Sequence, residues 1–143
     1  VSVMLEKQQV AVLADRIEVV KRRDAFERDP GAFTALWSKE DDKIRQQLLK
    51  ARARLPKVTI PDSALERAAR LCIALGTDGL RGELTLMRAA RALAALDGAT
   101  KVGDAQLRRI AVPALRHRLR RNPLDDTGSG VRVERAVAEL FDA

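Results

Sequence analysis

Apolar residues recur along this chain at intervals of three and four, with charges between them, and rarely alternate one by one. That is the period of helices buried along one face, not of strands. Val12, Ile17, Val20 and Phe26 mark a first helix over about 11–28. Asp29 before Pro30 then reads as a helix start, with Asp as N-cap and Pro at the first helical position. The helix it opens is expected to run to about Leu55, with Phe33, Leu36, Trp37, Ile44, Leu48 and Leu49 as its apolar stripe. The two prolines of "LPKVTIPD", 55–62, end that helix and precede the next. Asp62 or Ser63 caps a third helix to about Leu75, with Leu65, Ala69, Cys72 and Ile73 inward, and a fourth runs from about Leu80 to Leu96. After the loop "DGATKVGDA", 97–105, Asp104 caps "AQLRRIAV", and Pro113 either interrupts that helix or opens a new one, "PALRHRLRR". "NPLDDTGSG", 122–130, is the most loop-like stretch, and Ser129 caps a last helix from Val131 to Leu140. Leu84, Met87, Cys72, Ile73 and Leu107 are expected to meet in the core. The fold class is therefore all-α, a helical bundle, with at most a short N-terminal strand at "VSVML", too brief to make a sheet alone.

Composition agrees with packed helices. The 143 residues suffice for one domain with a real core, and they are 46% hydrophobic, 3% aromatic and 33% charged. No apolar run approaches the roughly 18 residues of a membrane span, and no signal peptide is visible. The single cysteine, Cys72, excludes an internal disulfide and suits a reducing cytoplasm. A chain that opens on Val1 instead of Met reads as a piece of something longer.

The net charge of +7 is concentrated. Residues 101–122 hold Lys101, Arg108, Arg109, Arg116, Arg118, Arg120 and Arg121 against Asp104 alone, which leaves the rest near neutral. Three readings of "LRHRLRRNP", 115–123, stay open: positive charge complementing a helix C-terminus, a surface for a protein partner, or a nucleic-acid contact. Aromatic stacking residues and a reading helix, which nucleic-acid binders usually add, are not evident.

Catalytic chemistry is sparse. No glycine is followed by lysine, so the phosphate loop Gly-x-x-x-x-Gly-Lys-Ser/Thr is absent. One histidine and one cysteine cannot form a zinc cluster. His117, between Arg116 and Arg118, reads as a helix-surface residue before a general base, and Cys72 as a small core residue. The acidic "KEDDK", 39–43, reads as a solvated helix face.

One stretch breaks the local rules: "GTDGLRGELTLMRAARALAAL", 76–96. Arg81 stands at a helix start, the positive end of the dipole, where acids are preferred. Free N–H groups and a guanidinium in the same turn make a favourable anion site, and Gly79 and Gly82 remove side chains from its approach. Arg88 falls on nearly the same face two turns on. The competing reading is a solvated arginine with glycines for tight helix packing.

"TDGLRGELTLMRAARALAALDG" and "VGDAQLRRIAVPALRHRLRRNPLDDTGSGVRV" resemble the C-terminal region of the magnesium-chelatase I subunit family, and "DRIEVVKRRDAFERDPGAF" and "ARARLPKVTIPDSAL" resemble the same family upstream. The small-residue-Arg helix start and the later "HR" also look like the more distant MoxR and MCM relatives. The resemblance implies the helical lid of an AAA+ ATPase of chlorophyll and bacteriochlorophyll synthesis. Such an enzyme uses ATP and Mg2+ to drive magnesium insertion into protoporphyrin, in a homo-oligomeric ring that works with other chelatase subunits in the cytoplasm. It implies that Arg81 is the sensor-2 arginine reaching the nucleotide phosphates, with Arg88 a weaker candidate. Arg116, Arg118, Arg120 and Arg121 would then face a neighbouring subunit. The resemblance also puts the Walker motifs and the arginine finger in a core domain ahead of Val1. Residues 1–6 would close that core and 7–143 form the lid, which alone would bind no cofactor and catalyse nothing. A cobalt-chelatase or MoxR-type lid, and an independent helical DNA-binding module, are the alternatives.

Overall fold

The computed structural model describes residues 13–77, 79–119 and 128–142. Six α-helices are found among them: α1 Leu13–Arg28, α2 Pro30–Arg54, α3 Asp62–Leu75, α4 Arg81–Asp97, α5 Asp104–Leu115 and α6 Ser129–Phe141. No strand occurs among these residues. The strand expected at 1–5 falls outside them, as do Arg120 and Arg121.

The chain forms two compact units, Val1–Arg45 and Gln46–Ala143. In the first, Asp29 caps α2 as the sequence predicts: its Oδ1 accepts the Ala32 N–H at 2.9 Å. The apolar stripe assigned to α2 is not a core, however. Leu36 is 74% exposed, and Ile44 lies open as well. Trp37 and Phe33 are half-buried in a local aromatic cluster, with Phe26 edge-on to Phe33 at 5.7 Å and the Arg22 guanidinium 4.3 Å over the Trp37 ring. None of the described residues in this unit is buried. Helical spacing makes a stripe available for packing without supplying a partner for it.

The second unit holds the core. α3 packs on α4 and α6, α4 on α5, and α5 on α6. Leu71, Leu86, Leu107, Leu115 and Val133 are fully enclosed between them, with Ala51 from the end of α2. Each such leucine withdraws an apolar side chain from water, a contribution of about 1.5–3 kcal/mol. Alanines at 64, 68, 90, 94 and 111 let the helices approach closely. Leu48 and Leu49, in this unit's portion of α2, are exposed.

Four details differ from the sequence expectation. α3 is turned by about one residue: Ala64, Ala68, Leu71, Cys72 and Leu75 face inward, while Leu65 and Ile73 are exposed. Leu84 is likewise 53% exposed, so the expected core keeps Cys72, Met87 and Leu107 and loses Ile73 and Leu84. Asp62, Asp104 and Ser129 are first helical residues, not caps, and Ser63 is the second residue of α3; Pro61 precedes α3, Gly103 precedes α5, its N–H held by Gln106 Oε1 at 3.0 Å, and Gly128 precedes α6. Finally, α5 runs through Pro113 to Leu115. Pro113 removes one ladder hydrogen bond, but buried Leu107, Ala111 and Leu115 on one face hold the helix together. "PALRHRLRR" is therefore not a helix of its own.

The two connectors touch. Thr59 accepts the Val102 N–H and donates its own N–H to Thr100, a single parallel bridge beside buried Val58 and Val102.

Candidate functional site

The site begins where α3 stops. Gly76, at φ 64°, ends α3 with its N–H on Ile73 O, while Thr77 N–H reaches Cys72 O at 3.1 Å. This left-handed ending is open to glycine at no steric cost. Thr77 also turns its hydroxyl onto Cys72 O at 3.3 Å. The chain then reverses and α4 opens at Arg81, with Leu80 as N-cap and no capping side chain.

The glycines around Arg81 have separate duties. A Cβ on Gly82 would meet Thr77 Oγ1 at 2.9 Å and Cys72 Sγ at 3.1 Å. Gly82 therefore lets the first turn of α4 press against the end of α3, which is the packing reading of the sequence. Gly79 has open space around it and serves a left-handed turn at φ 59°. Burial pushes the Cys72 thiol up to about 11, with the negative charge of Glu83 adding and the Thr77 hydroxyl opposing. Glu83 Oε2 is buried and without a hydrogen-bond partner among the described residues.

α5 supplies the opposite wall. Leu115 and Leu119 are buried four residues apart and anchor the turn after α5, so His117 and Arg118 between them are exposed. Arg118 N–H closes that turn on Leu115 O at 2.8 Å. Thr77, Arg81, Gly82, His117 and Arg118 together line one cleft of about 200 Å³.

The basic block is thus divided by the fold. Arg108 pairs with Asp142 and donates to the Phe141 carbonyl, and its guanidinium lies 5.3 Å from the Phe141 ring. Arg109 pairs with Asp97 at 3.0 Å, and Gln106 reaches the same carboxylate. The Gln106 hydrogen bond and the Arg109 guanidinium hold Asp97 below the usual carboxylate range. Arg116 Nε donates to His117 Nε2 at 3.0 Å. Of the predicted site residues, Arg81 and Arg118 share the cleft, Arg116 stands behind His117, and Arg88 lies exposed on α4 outside the cleft lining. No motif or spacing marks Thr77 as a site residue. The wall at His117 and Arg118 was legible only as a basic run, because the contact joins residues about forty positions apart.

Residues 65–139 match the family model described as an AAA lid domain. Among curated proteins, the chain is 60% identical over 126 residues to the magnesium-chelatase 38 kDa subunit of Rhodobacter capsulatus, spanning 88% of this chain and 36% of that one. It is 57% identical over 126 residues to the 38 kDa subunit of Cereibacter sphaeroides, spanning 88% and 38%. It is 38% identical over 136 residues to the chloroplastic magnesium-chelatase subunit ChlI of Oryza sativa subsp. japonica, spanning 93% and 33%. A chain of the BchI–BchD magnesium chelatase complex, reconstructed by single-particle cryo-EM, is 52% identical, covers 89% of this chain and 37% of that one, and aligns with a TM-score of 0.41. The chain spans about a third of the length of these curated relatives.

Proposed function

The chain belongs to the magnesium-chelatase 38 kDa subunit family and carries its AAA lid domain, and on that premise we propose that it is the nucleotide-sensing lid of an AAA+ ATPase that drives magnesium insertion into protoporphyrin. In this reading residues 7–143 form the lid and 1–6 end the ATPase core, which binds ATP with its Mg2+. The lid joins a ring of like subunits and relays nucleotide state to the other chelatase subunits.

One observation carries the reading: Arg81 opens α4 inside a cleft whose described lining contains no carboxylate. Among the described residues Arg81 makes no ion pair, whereas Arg22, Arg70, Arg108 and Arg109 each do. The donor set suits phosphate: the guanidinium N–H groups of Arg81 and Arg118 and the imidazole of His117. The cleft is smaller than the roughly 300 Å³ at which pockets begin to enclose whole drug-sized ligands, so it suits the phosphate end of a nucleotide and not its base. Bound ATP supplies the phosphoanhydride bond whose hydrolysis powers the cycle. The chain's part is to hold the phosphates: Arg81 is opposed by the helix dipole when the cleft is empty, and a phosphate turns that conflict into attraction. Gly82 fixes the angle at which α4 leaves α3, and so where Arg81 is aimed.

The test is a chimaera. This chain replaces the matching segment of the Rhodobacter capsulatus 38 kDa subunit, and magnesium insertion into protoporphyrin is assayed with the partner subunits. Insertion near the wild-type rate is the expected result. A folded chimaera that hydrolyses ATP but inserts no magnesium would move the chain to another AAA+ system.

A further inference from the structure

Two arginines line the cleft, from different elements of the fold. Arg81 comes from the start of α4 and Arg118 from the turn after α5. Like charges gathered in one small cavity repel, and they do so more strongly where protein walls displace water. Four other arginines of the second unit meet carboxylates: Arg108 meets Asp142, Arg109 meets Asp97, Arg67 meets Asp104 at 3.3 Å and Arg70 meets Glu66. Neither Arg81 nor Arg118 has such a partner among the described residues. Arg116 is not in the cleft lining, and its Nε donates to His117 Nε2. That bond also fixes the ring: a neutral imidazole accepting at Nε2 carries its proton on Nδ1.

We infer that Arg118 is a second phosphate-binding arginine, which closes with Arg81 on the same phosphate group of the bound nucleotide. The inference rests on the lid reading above and adds a residue to it. Its structural consequence is that nucleotide ties the end of α5 to the start of α4. The buried pair Leu115 and Leu119 provides a firm base for this, because it keeps the turn from swinging away. A clamp of two planar forks also holds a phosphate in orientation as well as in place, which one arginine does less well.

The experiment measures ATP dissociation constants by titration calorimetry on the full-length subunit, for wild type, Arg81→Ala, Arg118→Ala, Arg118→Lys and the double alanine variant, with a thermal melt of each. Loss of one charge-assisted contact predicts about tenfold weaker ATP binding for Arg118→Ala. Partial recovery is expected in Arg118→Lys, and melts should be unmoved because the side chain is exposed. Two arginines on one phosphate are coupled, so the double variant should lose less than the product of the single losses. Full affinity in Arg118→Ala with lost affinity in Arg81→Ala would overturn the inference and leave the lid reading standing. Full affinity in both would remove the lid reading too. Losses that multiply independently would assign the arginines to separate sites and overturn the shared clamp.

Discussion

At the scale of single residues, Gly82 shows why one signal had two meanings. A glycine beside an arginine at a helix start fits a ligand approach and a tight helix contact equally well in sequence. The structure assigns Gly82 to the contact, since Thr77 and Cys72 stand where a Cβ would go. Gly82→Ala should therefore destabilise the second unit by about 1–3 kcal/mol, read from urea unfolding; an unchanged midpoint would mean that the end of α3 yields easily. Cys72 makes a second prediction. Its folded thiol holds its proton more tightly than an unfolded one, so its contribution is whole below about 9 and fades as pH rises through about 11. The folded chain should resist iodoacetamide at pH 8 and react once urea unfolds it. Rapid alkylation of the folded chain would contradict the burial on which this rests. Arg81 was legible at this scale because it breaks a rule; Thr77 was not, because it breaks none.

At the scale of elements, periodicity located the helices well and oriented them less well. The predicted ends of α1, α2 and α3 fall within about two residues of those found, since Asp29, Pro30 and the prolines at 56 and 61 punctuate the chain. The inward face of α3 was misjudged because alanines carry it: Ala64 and Ala68 are buried by close helix contact, while the larger Leu65 and Ile73 face solvent. Size and hydropathy rank those residues the wrong way round, and only the neighbouring helices decide. The substitution pair that tests this is Leu71→Ala against Ile73→Ala. The first should cost about 2–5 kcal/mol and the second should stay within about 0.5 kcal/mol. Equal losses would restore the face expected from sequence. α5 carries the same lesson, since Pro113 alone argues for a break and its buried neighbours argue for continuity.

At the scale of the whole molecule, the all-α class and the lid family were legible, and the distribution of the core was not. Among the described residues the enclosed side chains all belong to Gln46–Ala143, so a chain of those residues should unfold in one cooperative transition. Its melting temperature should lie within about 8 °C of the full chain's, the shift that roughly 1 kcal/mol produces in a domain of this size. A broad, non-cooperative melt would show that Val1–Arg45 is needed for folding. The central claim is that Arg81 is an arginine held ready for nucleotide phosphate. The most direct measurement is ATP binding to the full-length subunit carrying Arg81→Ala, with its melt beside it. Affinity should fall by about ten- to a hundredfold, as befits a lost charge-assisted contact of about 1.5–3 kcal/mol, in a protein that melts no lower than wild type. Unchanged affinity would make Arg81 an ordinary surface arginine, and affinity lost together with the fold would make it a packing residue; either result contradicts the account.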